Sequence, residues 1–181
     1  MPFETVETER LILRAPRESD LPAFLAYRNH PDNCRYQGLA PADEEWAAAF
    51  LQGQAVLDVA AGACWMMCAL EQRADGRMIG EVGMYIGSPA QRSGDIGWSL
   101  HPDFHGQGYA TEAARALLDY AFGPRALHRV TANGDARNAA STRVMERLGM
   151  RREGSFMKSR FADGAWQDEV LYALLREEWR R

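Results

Sequence analysis

The stretch Leu100-His-Pro-Asp-Phe-His-Gly-Gln-Gly-Tyr-Ala-Thr-Glu-Ala113 has the pattern of a strand end, a turn, a glycine-rich loop and the start of a helix. Gly106 and Gly108 let the main chain approach a bound group without a Cβ in the way. The helix that follows has unpaired N–H groups in its first turn and the positive end of its dipole there. These features predict a binding site for a phosphate or pyrophosphate group.

The two common phosphate-binding loops do not match this stretch. A dinucleotide fingerprint needs a third glycine where Thr111 stands, and the preceding strands lack the βαβ order. A nucleoside-triphosphatase loop needs Gly-Lys-Ser/Thr, which is absent. Taken alone, the loop leaves open a second interpretation, a glycine-rich turn that only connects a strand to a helix.

Length and composition predict one globular domain over residues 1–181, with 46% hydrophobic and 25% charged residues. The net charge of −4 argues against a nonspecific nucleic-acid binder, which needs a basic surface. No apolar run reaches membrane-spanning length, and the N-terminus lacks a charged-then-apolar signal. We therefore expect a cytoplasmic protein that does not bind membranes or nucleic acid.

The residues that usually bind metals are poorly spaced for it. The chain has an odd number of cysteines, and none of them form a CxxC pair: Cys34, Cys64 and Cys68. This pattern predicts free thiols in a reducing compartment. His101 and His105 have a spacing that would pair them on a helix, but the neighbouring proline and glycine predict a loop. No metal site is expected.

Hydrophobic periodicity predicts a mixed α/β fold. Strands are expected near 10–14, 64–71, 78–86, 95–100, 128–132, 156–161 and 170–175. Helices are expected near 19–29, capped by Ser19 with Pro31 beyond the end, and near 41–52, 109–122 and 138–149. Turns are expected at 74–76 and at Asp163-Gly164, with a loop at 87–94, while 53–63 is ambiguous.

A second stretch decides whether the loop is a phosphate-binding site or only a connecting turn. It reads Asn138-Ala-Ala-Ser-Thr-Arg-Val-Met-Glu-Arg-Leu-Gly-Met150. Together the two stretches resemble the GNAT superfamily of acyl-CoA-dependent N-acyltransferases, and within it the RimJ/RimL-like branch of ribosomal-protein N-terminal acetyltransferases. The superfamily signature R/Q-x-x-G-x-G/A stands here as His105-Gly-Gln-Gly108-Tyr-Ala110, with His105 in place of Arg or Gln. The branch pattern appears as Ile96-Gly-Trp98, Gly108-Tyr-Ala-Thr-Glu-Ala113, Asn138-Ala-Ala-Ser141 and Leu148-Gly149, and the resemblance covers nearly the whole chain.

The resemblance implies a GNAT-type α/β fold, with a central, mostly antiparallel sheet, splayed strands and flanking helices. It implies acetyl-CoA as cosubstrate, with its pyrophosphate on the main-chain N–H groups of 105–111 and its pantetheine arm paired with strand 95–100, in the gap beside strand 128–132. The residues that it assigns to the cosubstrate are Trp98, Leu100, His105, Gly106, Gln107, Gly108, Tyr109, Ala110, Thr111, Asn138 and Arg143.

The implied chemistry is direct attack of a neutral amine on the thioester. A lysine amine has a reference pKa of about 10.4 and an α-amine about 7.7–8.0, so the α-amine needs less help from a base. Asp95 and Glu81 are the candidate bases, although each is equally expected as an ordinary hydrogen-bonded strand carboxylate. Ser141 is the candidate donor to the leaving thiolate; its alternative role is a first-turn residue bonded to Asn138.

A protein N-terminal α-amine is the expected acceptor. A small amine, such as an aminoglycoside or a polyamine, and a non-catalytic acyl-CoA-binding module remain as alternatives, and a flavin or nicotinamide enzyme is a third class. Tyr36, Trp46, Trp65 and Tyr85 are candidates to border the acceptor groove, although such aromatic side chains more often lie in a core. A homodimer is also expected from the resemblance.

Overall fold

A sheet of eight strands in the order β1-β2-β3-β4-β5-β6-β8-β7 organises the described part of the chain. The computed structural model describes residues 3–37, 40–58, 62–87, 90–162 and 164–179. The strands are β1 (Val6–Glu7), β2 (Leu11–Arg14), β3 (Cys64–Gln72), β4 (Met78–Ile86), β5 (Ser93–Leu100), β6 (Arg129–Asp135), β7 (Arg151–Ala162) and β8 (Ala165–Leu175). The α-helices are α1 (Leu21–Arg28), α2 (Pro31–Gln37), α3 (Glu44–Ala55), α4 (Tyr109–Phe122) and α5 (Ala139–Arg147).

The strands pair antiparallel except β5 and β6, which run parallel. That parallel pairing covers only Ser93–Asp95 of β5, whereas β5 pairs with β4 along its whole length up to Leu100. The two central strands therefore diverge after Asp95, which opens a V-shaped gap in the sheet. This confirms the expected GNAT-type sheet, mostly antiparallel and splayed.

Helices cover the two faces of the sheet separately. Helix α4 packs on one face, called here the α4 face, and its small and aliphatic residues are fully buried there: Ala113, Ala114, Leu117, Leu118 and Ala121. The opposite face, called the α1 face, carries a second cluster from α1, α3 and β3: Phe24, Tyr27, Ala47, Leu51 and Met67. The helical spacing predicted for 109–122 is confirmed.

The N-terminal helices differ from the prediction. The helix expected at 19–29 is α1, and Ser19 lies in a short 3₁₀ turn before it. Pro31 does not simply follow a helix; it begins α2, because proline suits a first helical turn. The helix expected at 41–52 begins and ends three residues later, since the Asp43 side chain accepts from the Trp46 N–H (2.7 Å) as its N-cap.

The C-terminal strands are longer than predicted. Strand β7 is exposed along most of its length and has two register shifts, so it lacks the alternation that marks a half-buried strand. The sequence patterns also do not predict β1 or the end of β6. The turn at 74–76 is confirmed, with Gly76 at φ +71°. Asp163, 59–61 and 88–89 lie outside the described residues, and one domain over residues 1–181 stays a prediction.

Candidate active site

The glycine loop leads into an uncapped helix. Gly108 has φ +85° and is the N-cap of α4, so no side chain satisfies the helix terminus. In the part of the chain that the structure describes, the N–H groups of Tyr109, Ala110 and Thr111 have no hydrogen-bond acceptor. Gly106 also has a left-handed backbone conformation, with φ +74°. The first turn of a 14-residue helix thus presents free donors and its positive dipole end, as anion binding requires.

An orphaned hydroxyl lies in the same turn. Thr111 Oγ1 is buried and has no partner among the described residues. A buried unpaired hydroxyl costs free energy unless a ligand or water satisfies it, so it fits a bound phosphate oxygen. His105 differs from the expectation, because its N–H already donates to the Pro102 carbonyl (2.9 Å).

The loop is held by the turn that connects β1 to β2. The Arg10 guanidinium donates to the Gln107 carbonyl (2.9 Å) and to the Glu112 carboxylate (2.7 Å). Glu112 also accepts from the Thr8 hydroxyl (2.6 Å). Burial acts to raise the pKa of Glu112, but the hydrogen bonds from Thr8 and Arg10 outweigh it and hold the pKa below its ordinary value. Glu112 is therefore an anchor of the loop.

The edge of β5 faces the gap beyond Asp95. The Ser93 carbonyl and the His101 N–H both form hydrogen bonds on the β4 side of the strand. Because main-chain groups alternate in direction along a strand, those of Trp98 and Leu100 point to the other side. There, the described strands supply no hydrogen-bond partner. The Leu100 carbonyl is taken, because Asn33 Nδ2 and the His105 ring Nε2 both donate to it at 2.9 Å. Trp98 and the Leu100 N–H remain to pair with a ligand.

A groove of about 430 Å³ joins these parts. Its wall combines β5, the glycine loop, α2 and α5, and it contains most of the predicted cosubstrate residues: Trp98, Leu100, His105, Gly106, Gly108, Tyr109, Ala110, Thr111, Asn138 and Arg143. Gln107 is not part of this wall; its side chain donates to the Asp103 carbonyl (2.8 Å).

Helix α5 begins opposite the edge of β5. Asn138 is its N-cap, because its side-chain oxygen accepts from the Ser141 N–H (3.1 Å), which leaves the Asn138 amide group to donate. Ser141 lines the groove, and its hydroxyl has no partner among the residues that the structure covers. Both interpretations of Asn138, as a cap and as a donor to a ligand, are therefore compatible with its geometry.

The two candidate bases lie on the α1 face of the sheet. Asp95 accepts from the Thr131 hydroxyl (2.7 Å), and Glu81 accepts from the Tyr27 hydroxyl (2.9 Å). Burial raises the pKa of Asp95 more than the Thr131 hydrogen bond lowers it. Burial likewise raises the pKa of Glu81, against the opposing effects of the Tyr27 hydroxyl and the Arg28 charge. Neither carboxylate lines the 430 Å³ groove.

Both carboxylates are nevertheless next to the gap. Asp95 is the last residue of β5 that pairs with β6, so it lies where the two strands part. Glu81 stands directly opposite Ser99 in the β4–β5 ladder, and Ser99 lines the groove. The free edge of β5 thus has the cosubstrate groove on one side and two half-buried carboxylates on the other.

A comparison with known proteins identifies the family. The family model described as the acetyltransferase (GNAT) domain matches residues 10–151. The chain belongs to the GNAT acetyltransferase family. Members of this family use acetyl-CoA as cosubstrate, and this chain is a GNAT N-acetyltransferase.

Individual GNAT relatives agree with the assignment. The chain is 33% identical to the uncharacterized N-acetyltransferase YnaD of Bacillus subtilis, over 96% of this chain and 98% of that protein. A solved GNAT acetyltransferase of Bacillus anthracis superposes with a TM-score of 0.85 at 31% identity, covering 97% of this chain and all of that one. The ribosomal protein uS5-alanine N-acetyltransferase of Escherichia coli is 33% identical over 46% of this chain and 43% of its own length.

Other predicted features can be placed in this GNAT structure. The three cysteines are free thiols, as predicted. Within the described ranges, no group of three or more His, Cys, Asp or Glu side chains is placed to hold a metal ion. None of the helices in those ranges is both long and apolar enough to cross a membrane.

Sequence reasoning missed the contribution of α2 to the GNAT site. Asn33 holds the Leu100 carbonyl, and Gln37 Nε2 donates to the Ser99 hydroxyl (3.3 Å). Neither residue belongs to a recognised motif, and the sequence pattern predicts that Pro31 follows a helix, whereas it begins α2. Of the four candidate aromatic residues, Tyr36 lines the groove, whereas Trp65, Tyr85 and Trp46 are partly exposed elsewhere.

Proposed function

We propose that this acetyltransferase binds acetyl-CoA in the 430 Å³ groove and transfers the acetyl group to the α-amine of a protein N-terminus. The observation that supports it most is the divergence of β5 from β6 after Asp95. The gap gives an amine on the α1 face a route to a thioester on the groove side. The homodimer and the cytoplasmic location remain predictions.

On the groove side, main-chain donors hold the cosubstrate. The free N–H groups of Tyr109, Ala110 and Thr111, with the Thr111 hydroxyl, bind the pyrophosphate. The Trp98 main chain and the Asn138 amide bind the pantetheine arm. Donors that point at the thioester oxygen stabilise the charge that develops there, which is usually the largest catalytic effect in acyl transfer.

On the α1 face, a carboxylate receives the proton of the incoming ammonium group. Asp95, at the mouth of the gap, is the first candidate for this role, directly or through one water molecule, and Glu81 is the second candidate. The neutral amine then forms its bond to the acetyl carbon while the carbon–sulfur bond breaks. The nitrogen loses a second proton as the amide forms, and this proton passes to the departing thiolate, which accepts a hydrogen bond from the Ser141 hydroxyl. The products are an N-acetylated amine and the free thiol of CoA.

The choice of an α-amine rests on three supports. Its reference pKa of about 7.7–8.0 leaves a large neutral fraction at physiological pH, unlike the lysine value of about 10.4. The α1 face beside Asp95 carries the partly exposed rings of Trp65 and Tyr85, an open border that can accept an amine attached to a longer chain. One relative is named for acetylating an alanine of ribosomal protein uS5.

Mass spectrometry of acetylated products tests the proposal. The enzyme is given acetyl-CoA with a peptide library that has free N-termini, and the same peptides with blocked N-termini and an internal lysine serve as controls. Acetylation confined to free α-amines supports the proposal. Acetylation of a parallel small-amine library alone would replace the acceptor with an aminoglycoside-like or polyamine-like amine. Tight acetyl-CoA binding with no thiol release from either library would favour a non-catalytic module.

A further inference from the structure

The Trp65 side chain lies flat across two strands of the α1 face. It stands on β3, and a Cβ on Gly83 of the neighbouring β4 would come within 2.4 Å of its ring atom Cζ2. The far edge of the indole, Cη2, reaches β5, where a Cβ on Gly97 would be 3.5 Å away. Only glycine at position 83 leaves room for this arrangement. The ring therefore occupies the space that a side chain at position 83 would fill, and its edge is in van der Waals contact with position 97.

This position borders the path of the acceptor amine. Gly83 and Gly97 are opposite each other in the β4–β5 ladder, and side chains on one face repeat every second residue. Along β5 the indole edge thus lies between Asp95, where the gap opens, and Ser99, which lines the cosubstrate groove. An amine that moves to the gap from the α1 face passes beside this ring.

The indole is not simply a core residue. Trp65 is 37% exposed, whereas the α1 face cluster beside it, which includes Met67, is almost fully buried. Tyr85, directly opposite Trp65 in the β3–β4 ladder, is 46% exposed. One surface of the indole therefore packs on the glycines, and the other is open to a ligand.

We propose that the Trp65 indole limits the size of the acceptor's first residue, so that substrates begin with a small residue such as Gly, Ala or Ser. This proposal rests on the proposed function, transfer to a protein α-amine. The side chain of a first residue is attached one bond from the carbon that carries the amine, so it must fit beside the indole when the amine enters the gap. A methyl or hydroxymethyl group fits there, and an aromatic side chain overlaps the ring.

Replacement of Trp65 by alanine would remove the ring and expose the sheet surface at Gly83 and Gly97. A bulky first side chain would then occupy the space of the missing indole. Misfits of about one methylene group change specificity roughly 10–200-fold. We therefore expect Trp65→Ala to lower the ratio of kcat/KM for an Ala-first peptide to kcat/KM for a Phe-first peptide by at least about tenfold. Trp65→Phe should give an intermediate ratio.

The experiment measures that ratio for the whole chain with two peptides that differ only at the first residue. A ratio within one preparation does not depend on the fraction of correctly folded enzyme, so loss of stability in the alanine variant does not affect the result. Trp46→Ala is the matched control, because Trp46 is similarly exposed at 45% but stacks on Phe50 of α3. Its ratio should equal that of the wild type.

Each result has a distinct meaning. A wild-type enzyme that prefers the Ala-first peptide, with the preference lost only in the Trp65 variants, supports the size limit. A wild-type preference that Trp65→Ala leaves unchanged would mean that the indole only covers the glycines, and this would overturn the size limit while the proposed function stands. A wild-type enzyme that acetylates small amines but no peptide would overturn the proposed function, and the size limit with it.

Discussion

Different chemical groups line the two sides of the β5–β6 gap. On the groove side, the groups that face a ligand are mostly main-chain N–H groups, positioned by Gly108 and by the uncapped first turn of α4. On the α1 face they are side chains: two half-buried carboxylates and two partly exposed aromatic rings, contributed by β3, β4 and β5. One side depends on backbone conformation and the other on side-chain identity.

This difference separates binding from chemistry. Main-chain donors recognise a group that every cosubstrate molecule carries, and substitution of side chains changes them little. The α1 face can vary in sequence without disturbing the loop, because its side chains project from strands that the sheet already holds in register. Variants on the two sides should therefore affect different measured constants.

The largest effect is expected for Asp95→Asn. Loss of a general base typically costs 10²–10⁴-fold in rate, and we expect kcat to fall about a hundredfold or more while acetyl-CoA affinity is unchanged. Burial raises the pKa of Asp95, so activity should fall as pH decreases through that raised pKa, and the variant should lose this acidic limb. The limb set by the α-amine, near pH 8, should remain in both enzymes. Steady-state kinetics against pH measure both limbs.

Two further measurements sharpen the result for Asp95. A group whose pKa is raised by folding adds stability below its unfolded pKa, and this stability is lost as pH rises through the folded value. At neutral pH the ionised carboxylate therefore costs stability, and Asp95→Asn should melt no lower than the wild type. Glu81→Gln is the matched comparison, since Glu81 is also a half-buried strand carboxylate with a raised pKa. A larger kinetic loss in Glu81→Gln would assign the base to Glu81.

The same contrast explains what the sequence could reveal. The groove side was predictable because glycine conformation, a helix start and an N-cap are local properties that appear as short patterns near Gly108 and Asn138. The splay after Asp95 followed from the family resemblance that those patterns support. The structure adds that the His105 N–H and the Leu100 carbonyl are already occupied.

The α1 face was harder to predict because its parts are distant in sequence. The position of the Trp65 ring depends on Gly83 and on Gly97, which only strand pairing brings together. The contact of Asn33 with Leu100 spans 67 residues. No local pattern encodes such contacts, so sequence reasoning could name the aromatic candidates but could not order them.

The second prediction tests the groove side with Gly108→Val. A β-branched residue strongly disfavours φ +85°, so the loop should rearrange and acetyl-CoA should bind roughly 10–100-fold more weakly by calorimetry. A Cβ at this position would meet only Arg10 Nη2 at 3.4 Å, so the effect would come from backbone conformation. Gly76→Val is the matched control, with φ +71° in the β3–β4 turn and no atom within 4 Å of a Cβ. It should lose stability and retain affinity; equal affinities in the two variants would contradict the assignment of the loop.

The third prediction concerns Asn138, which serves both the helix and the ligand. Asn138→Ala should lower the free energy of unfolding by about 1 kcal/mol because α5 loses its N-cap. Acetyl-CoA affinity should fall roughly three- to tenfold because the amide donor is lost. Asp43→Ala removes a comparable cap from α3, where the carboxylate accepts from the Trp46 N–H, and should change stability alone. Thermal melts with calorimetry separate the two effects. Unchanged affinity in Asn138→Ala would reduce Asn138 to a cap.

The smallest effect is expected for Arg143→Ala. Arg143 lines the groove but is exposed, and an exposed charge facing a phosphate is screened by water and salt. We expect acetyl-CoA affinity to fall only about twofold at low ionic strength, and the difference should vanish near 0.5 M salt because the Debye length shortens. Arg152→Ala removes the same charge from the exposed strand β7 and should leave affinity unchanged at both salt concentrations. A loss above tenfold that persists in salt would show that side-chain charge is a main source of affinity on the groove side too, and the division between main-chain binding and side-chain chemistry would then be wrong.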